Sequence, residues 1–158
     1  MIAVERIGDD GYGDHAALLS LILRSFAYMD GVIEPPSSAH RLTVDSLAQK
    51  ARDEIGYVAL DEGVPVGCIY MRPEADCLYV GKLAVDPETQ GRGIGRRLMD
   101  RAEALAAQLS LPALRLETRI ELTGNHRRFG AWCFVATAEK SHPGYDRTTY
   151  IEMRKALR

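Results

Sequence analysis

The chain has 158 residues, 46% of them hydrophobic and 27% charged, with a formal net charge of −2. That composition excludes a disordered, collagen-like or coiled-coil chain. The length suits one domain, 1–158, which buries about two-thirds of its unfolded surface and needs neither disulfides nor a metal to hold a core.

In chain order, Ile2 to Arg6 alternates as a first strand. Asp14 is placed to cap a helix whose apolar face is Ala16, Leu19, Ile22, Leu23 and Phe26. Gly31 to Ser38, ending in Pro35-Pro36-Ser37-Ser38, interrupts the pattern. Thr43 caps a second helix to about Arg52. Ile55 to Leu60 and Val64 to Met71 flank the turn Asp61-Glu62-Gly63, and Cys77 to Val85 adds a third extended run, so an antiparallel meander is expected. From Gly91 to Leu109 the period changes to 3.6, with Ile94, Leu98, Ala102, Leu105 and Leu109 on one face. Ala113 to Thr118 then alternates as a strand parallel to the one before the helix. A short helix over Thr123 to Ala131 and two last strands, Phe134 to Lys140 and Thr148 to Arg154, complete an α+β or mixed α/β chain around one central sheet.

No run of 18 apolar residues exists, and Met1-Ile2-Ala3-Val4-Glu5-Arg6 lacks the layout of a leader. Cys68, Cys77 and Cys133 are too scattered for a disulfide framework and read as buried free thiols. His15, His40, His126 and His142 have no metal-ligand spacing, so no metal is expected. These features point to a cytoplasmic protein without a membrane partner. An isoelectric point near 6.1 argues against a nucleic-acid partner. Charge is uneven: 7 basic and 15 acidic residues in 1–90, against 13 and 7 in 91–158. One half could meet an anionic cofactor and the other a cationic substrate, or a folded surface could mix the two signs.

The most informative segment is Leu83-Ala84-Val85-Asp86-Pro87-Glu88-Thr89-Gln90-Gly91-Arg92-Gly93-Ile94-Gly95-Arg96-Arg97. A strand ends and a helix begins among glycines that each cost a helix interior roughly 1 kcal/mol. The first amides of a helix lack internal partners and sit at its positive end, where a phosphate fits. Arg92, Arg96 and Arg97 add charge there. A P-loop is excluded because its lysine and hydroxyl are missing. A dinucleotide fingerprint is weakened because its third glycine position holds Arg96, although Glu117 lies near the usual distance for an acidic partner.

Gln90-x-x-Gly93-x-Gly95, with Lys82-Leu83-Ala84-Val85 before it and a basic amphipathic helix after it, resembles the Q/R-x-x-G-x-G/A motif of the GNAT superfamily of N-acetyltransferases. The resemblance covers nearly the whole chain. It implies a mostly antiparallel sheet of six to seven strands with one splayed parallel pair, flanked by about four helices. It implies acetyl-CoA as cosubstrate, with its pyrophosphate on the amides of Gly91, Arg92, Gly93, Ile94, Gly95 and Arg96 beside Gln90. The pantetheine arm would lie along Leu83, Ala84 and Val85. Asn125 is either a cofactor ligand or a helix cap.

The implied reaction is direct attack by a small-molecule or peptide amine on the thioester. The family tyrosine is replaced here by Phe129, which also belongs to the cofactor wall, and the usual glycine by Cys133. Tyr145 is the nearest substitute acid, although a turn setting also suits a surface tyrosine. Glu117 is the best base, with a surface ion pair to Arg115 or Arg119 as the competing reading. Phe26, Met29, Asp30 and Glu34 are expected to receive the amine. Cys133, between Trp132 and Phe134, is expected to be buried and unsuited to nucleophilic catalysis, and His126 to be exposed helix surface. The alternative to a transferase is an acyl-CoA-binding module that has lost turnover. The amine, the acyl chain and the oligomeric state stay open, a homodimer being one option.

Overall fold

The computed structural model describes residues 1–157. Seven strands form one sheet in the order β1-β2-β3-β4-β5-β7-β6. These are β1 (Ile2–Ile7), β2 (Ile55–Asp61), β3 (Val64–Pro73), β4 (Leu78–Val85), β5 (Ala113–Arg119), β6 (Val135–Lys140) and β7 (Tyr150–Ala156). The helices are α1 (His15–Phe26), α2 (Val44–Asp53), α3 (Ile94–Gln108) and α4 (Thr123–Ala131). All neighbours pair antiparallel except β4 and β5. No helix among the described residues is long and apolar enough to cross a membrane.

The caps explain where the first helices start. Asp14 accepts a hydrogen bond from the Ala17 amide at 3.0 Å. Thr43 and Ser46 form a reciprocal capping box. The β2–β3 turn has left-handed φ at both Glu62 and Gly63, a conformation whose twist matches the flanking strands. Against one sheet face, α1 and α2 bury Leu18, Leu21, Ile22 and Leu47 on Val58, Cys68, Tyr70 and Ala84. On the other face, α3 buries Ile94, Leu98, Met99 and Ala102 on Ile69, Met71, Val80 and Leu116. Each buried leucine, isoleucine, valine or methionine among these contributes about 1.5–3 kcal/mol.

Two irregularities shape the centre of the sheet. First, β4 carries a bulge: Gly81 faces Tyr70 and Ala84 faces Cys68, so Lys82 and Leu83 stand against the single residue Ile69. Lys82 there takes a left-handed φ of 47°. A bulge bends its strand and sharpens the twist. Second, β4 pairs with β5 only at Leu78–Leu114 and Tyr79–Arg115. Beyond Tyr79 the two strands part, while β5 stays paired with β7 from Ala113 to Arg119. A wedge therefore opens toward the carboxyl ends of β4 and β5.

The expected helix over Gly91 to Leu109 is shorter in the structure. Gly91 and Gly93 have φ of 87° and 72°, which a helix cannot hold, so α3 begins at Ile94. The last strand begins at Tyr150 rather than Thr148, and Thr149 is buried under His142.

Candidate active site

The wedge is a cleft of about 860 Å³. One end is built by the turn after β4. Asp86 accepts from the Glu88 amide at 3.0 Å and pairs with Arg24 at 2.9 Å, which fastens this turn to α1. The chain then passes Gln90, Gly91 and Gly93 along the cleft wall and enters α3. Gly93 is the N-cap and supplies no side-chain acceptor, and the first helical bond runs from the Arg97 amide to the Gly93 carbonyl at 3.0 Å. The amides of Ile94, Gly95 and Arg96 precede any internal partner, and all three residues line the cleft. A Cβ at Gly91 or Gly93 would meet nothing within 4 Å, so backbone conformation rather than crowding demands glycine there. A Cβ on Gly95 would only touch Trp132 at 3.4 Å and Val85 at 3.6 Å. A Cβ is therefore accommodated at 95.

Of the three arginines expected at this end, only Arg96 lines the cleft, 5.9 Å from the Trp132 ring and paired with Asp100 and Glu103. Arg92 turns to Asp61 at 2.9 Å and holds that carboxyl below its ordinary range. Arg97 donates to the Ile2 carbonyl. Leu83 and Val85 line the cleft, whereas Ala84 points its methyl into the α1–α2 core. From α4 come Asn125, Arg128 and Phe129, and from its C-cap Trp132. Asn125 is not the helix cap, a place taken by Leu122, and its Nδ2 donates to Tyr28 Oη at 3.2 Å. Phe129 meets Trp132 and Phe134 edge-on at 5.8 and 5.9 Å.

The other end lies on the α1–α2 face. Phe26 and Met29 line it. Asp30 and Glu34 do not: Asp30 bonds His40 at 2.8 Å and Glu34 bonds Tyr145 at 2.7 Å. Tyr145 is likewise outside the cleft wall. Glu117 is on the wall, but its Oε2 is 3.0 Å from Arg115 Nη1 and 3.9 Å from Lys140 Nζ. Arg119 straps the preceding loop by donating to the Pro35 and Pro36 carbonyls. His142 holds its Nδ1 2.6 Å from the hydroxyl of buried Thr149, and burial and the Arg119 charge lower its pKa below 6.5.

Two expectations are corrected. Cys133 is exposed, with a left-handed φ of 74°, because it follows the end of α4, where the chain reverses and glycine is the usual residue. It is outside the cleft wall, so its unsuitability as a nucleophile rests on position rather than burial. His126 is half-buried and bonds the Arg119 carbonyl at 2.9 Å instead of facing solvent. Cys68 and Cys77 are buried as expected, and burial pushes the Cys68 thiol up to about 12. Among the described residues no group of three or more metal-ligating side chains gathers.

Sequence reasoning missed Trp132, Lys82, Arg41 and Tyr150, all on the cleft wall. Trp132 was within reach of a spacing argument, three residues after Phe129 on one helix face. Lys82 was not, because its place depends on the β4 bulge.

Comparison with known proteins agrees with this geometry. Residues 17–131 match the model of the acetyltransferase (GNAT) family. An IAA acetyltransferase of Azospirillum brasilense is 36% identical over 106 residues, 66% of this chain and 67% of that protein. Among solved structures, the PaiA N-acetyltransferase of Thermoplasma acidophilum in complex with coenzyme A has a TM-score of 0.77 at 15% identity, covering 99% of each chain. The ribosomal-protein-S18-alanine N-acetyltransferase of Escherichia coli has a TM-score of 0.75 at 16% identity, over 99% of this chain and 94% of that one. At these identities the two structures establish a shared fold. The family match runs through the glycine turn, α3 and α4 that build the cleft, and the chain belongs to the acetyltransferase (GNAT) family.

Proposed function

We propose that the protein transfers an acetyl group from acetyl-CoA to a primary amine of a small molecule or peptide, by direct attack in a ternary complex. The observation that carries this reading is the open edge of β4 beyond Tyr79, which leads to the uncapped amides of Ile94, Gly95 and Arg96. Those amides, with the positive end of α3 and the turn at Gly91 and Gly93, suit a pyrophosphate. The β4 edge at Leu83, Ala84 and Val85 suits a pantetheine arm laid alongside as an added strand. Coenzyme A in the Thermoplasma neighbour supports this cosubstrate.

Acetyl-CoA supplies an acyl carbon activated by its thioester. The amine nitrogen forms the new C–N bond to that carbon, the C–S bond breaks, the sulfur keeps the electron pair, and the amine loses a proton. A β4 backbone amide at the splay is placed to stabilise charge on the carbonyl oxygen. Glu117 is the proposed base. Its bond to Arg115 favours reaching the amine through water. Phe129 has no proton to give, but a thiol with a pKa of about 8.5 leaves as thiolate near neutral pH without one. Tyr145 can act as the acid only after leaving Glu34.

A second reading, a non-catalytic acyl-CoA-binding module, is favoured by one observation. At the family tyrosine position, Phe129 stands in an aromatic cluster without a hydroxyl. Calorimetric titration with acetyl-CoA, using NADH as control, tests the site, and thiol release with an amine panel tests turnover. Micromolar acetyl-CoA binding with amine-dependent thiol release is expected. Binding without turnover on any amine would leave the module, and no binding at millimolar concentration would remove both readings.

A further inference from the structure

The charged wall of the cleft is unbalanced. Glu117 is the one carboxylate among its described lining residues, and it is already bonded to Arg115. The lining also carries the cations Lys82, Arg41 and Arg119, none within 4 Å of a carboxylate among the described residues. This reverses what the acidic first half of the chain suggested. Asp30 and Glu34, the carboxylates expected to meet a cationic amine, are tied to His40 and Tyr145 outside the wall.

Lys82 is the centre of the imbalance. It stands on the β4 bulge, three residues past Tyr79, the last β4 residue paired with β5. Its side chain is half-buried, and Nζ has one polar partner, Ser38 Oγ at 2.7 Å. An ammonium carries three donors, so two remain for something else. The charges around it are Lys50, Arg41 and Arg119, opposed by Glu54, and Glu54 is itself bonded to Lys50 at 2.9 Å. Burial and those three cations lower the Lys82 pKa. Three cations that share a cleft wall with a single, already paired carboxylate repel one another, and an anion seated among them offsets that repulsion. Lys82 reaches Ser38 in the segment between α1 and α2, and α1 and α2 pack on the sheet face opposite α3, which favours an anion other than the pyrophosphate on the α3 amides.

We propose that the acceptor amine carries an anionic oxygen group, a carboxylate or a phosphate ester, seated between Lys82, Arg41 and Arg119. The inference rests on the transferase reading and narrows its substrate. The Lys82 ammonium and the Arg41 guanidinium hold the anion. Arg119, fixed by the Pro35 and Pro36 carbonyls, forms a rigid third side. Seating the anion beside the bulge leaves the amine of a short substrate to face the splay, where the thioester carbonyl would lie, with Glu117 on the same wall.

The test uses the whole chain saturated with coenzyme A and reads binding of acetylated products, which undergo no transfer. N-acetyl amino acids are titrated against their carboxamides, and N-acetyl-phosphoethanolamine against N-acetylethanolamine. These pairs differ in charge, and the pair that discriminates tells carboxylate from phosphate. The anionic member of at least one pair should bind about 10- to 100-fold tighter. Lys82→Met, checked for folding by thermal melting, should erase that preference, Lys82→Arg should keep most of it, and Arg41→Gln should weaken it. Equal binding within every pair, tighter binding of the neutral members, or binding of neither overturns the proposal. Coenzyme A binding is read first in the same cell. Its absence would overturn the transferase reading and this proposal together, whereas coenzyme A binding without a charge preference overturns the proposal alone.

Discussion

Tyr145 Oη donates a 2.7 Å hydrogen bond to Glu34 Oε1, tying the β6–β7 loop to the chain that follows α1. Arg147 adds a bond to the Glu34 carbonyl, and the Glu34 amide donates to Glu121. Two residues expected to serve the acid and the substrate thus serve each other first. The bond to Glu34 also raises the Tyr145 pKa above its ordinary value, so the phenol stays protonated. Tyr145→Phe should therefore loosen the loop more than it impairs the chemistry. The KM for the amine should rise about 2- to 10-fold while kcat stays within about 3-fold. A fall in kcat of about 100-fold would instead make Tyr145 the acid.

The glycines of the turn separate folding from binding. Gly93→Val forces a β-branched residue to φ 72° and should cost about 1–2 kcal/mol of stability as well as cofactor affinity. Gly95→Val places its Cβ in ordinary contact with Trp132 and Val85, at a position with φ in the normal range, so the melting temperature should hold. Its added carbons would still stand on the cleft lining, beside Ile94 and Arg96. Acetyl-CoA affinity should fall about 10-fold or more in both variants, and only Gly93→Val should melt earlier. Unchanged affinity in Gly95→Val would move the pyrophosphate away from α3.

These same residues show how much the sequence discloses. Local signals were legible: the Asp14 and Thr43 caps, the Glu62-Gly63 turn, and α4 over Thr123–Ala131 all follow from short-range chemistry. What escaped depends on the sign of a dihedral or on distant partners. Periodicity is blind to φ, so Gly91 and Gly93 read as helix, and Trp132-Cys133-Phe134 read as one buried run although Cys133 turns outward. Asp30 and Glu34 lie beside Phe26 and Met29 in the chain, and only the folded state shows them engaged by His40 and Tyr145.

A charge pair far from the turn sets the acid behaviour of the sheet. Arg115 donates Nε and Nη2 to the two oxygens of Glu74 at 3.0 Å each, fastening β5 to the β3–β4 turn. That pairing, helped by Cys77 and Arg72 and opposed by burial, holds the Glu74 carboxyl down to about 2 from an ordinary 4.5. A depressed carboxyl stabilises the fold fully above its unfolded pKa and loses that contribution as pH falls through the folded one. Glu74→Gln should therefore cost about 1–2 kcal/mol in urea unfolding at pH 7, the low side of a charged bond because Glu117 and Glu152 still face Arg115. The gap between parent and variant should shrink steadily from about pH 4.5 toward about pH 2. A gap independent of pH would mean that packing, not charge, makes the difference.

The missing hydroxyl at position 129 has a measurable signature. Phe129 lines the cleft and is held edge-on by Trp132 and Phe134, so Phe129→Tyr adds one oxygen to a ring whose neighbours already fix it. If thiolate departure limits the rate, an acid there helps only while the departing sulfur gains from a proton, below its pKa of about 8.5. The variant should raise kcat by up to about 10-fold near pH 7, and the gain should vanish above about pH 9. Acetyl-CoA affinity should stay within about 2-fold, since the hydroxyl replaces no contact. A gain equal at every pH would point to altered packing rather than proton transfer. No gain at any pH would show that C–S cleavage is not limiting, and that Phe129 leaves turnover limited by an earlier step, the deprotonation or attack of the amine.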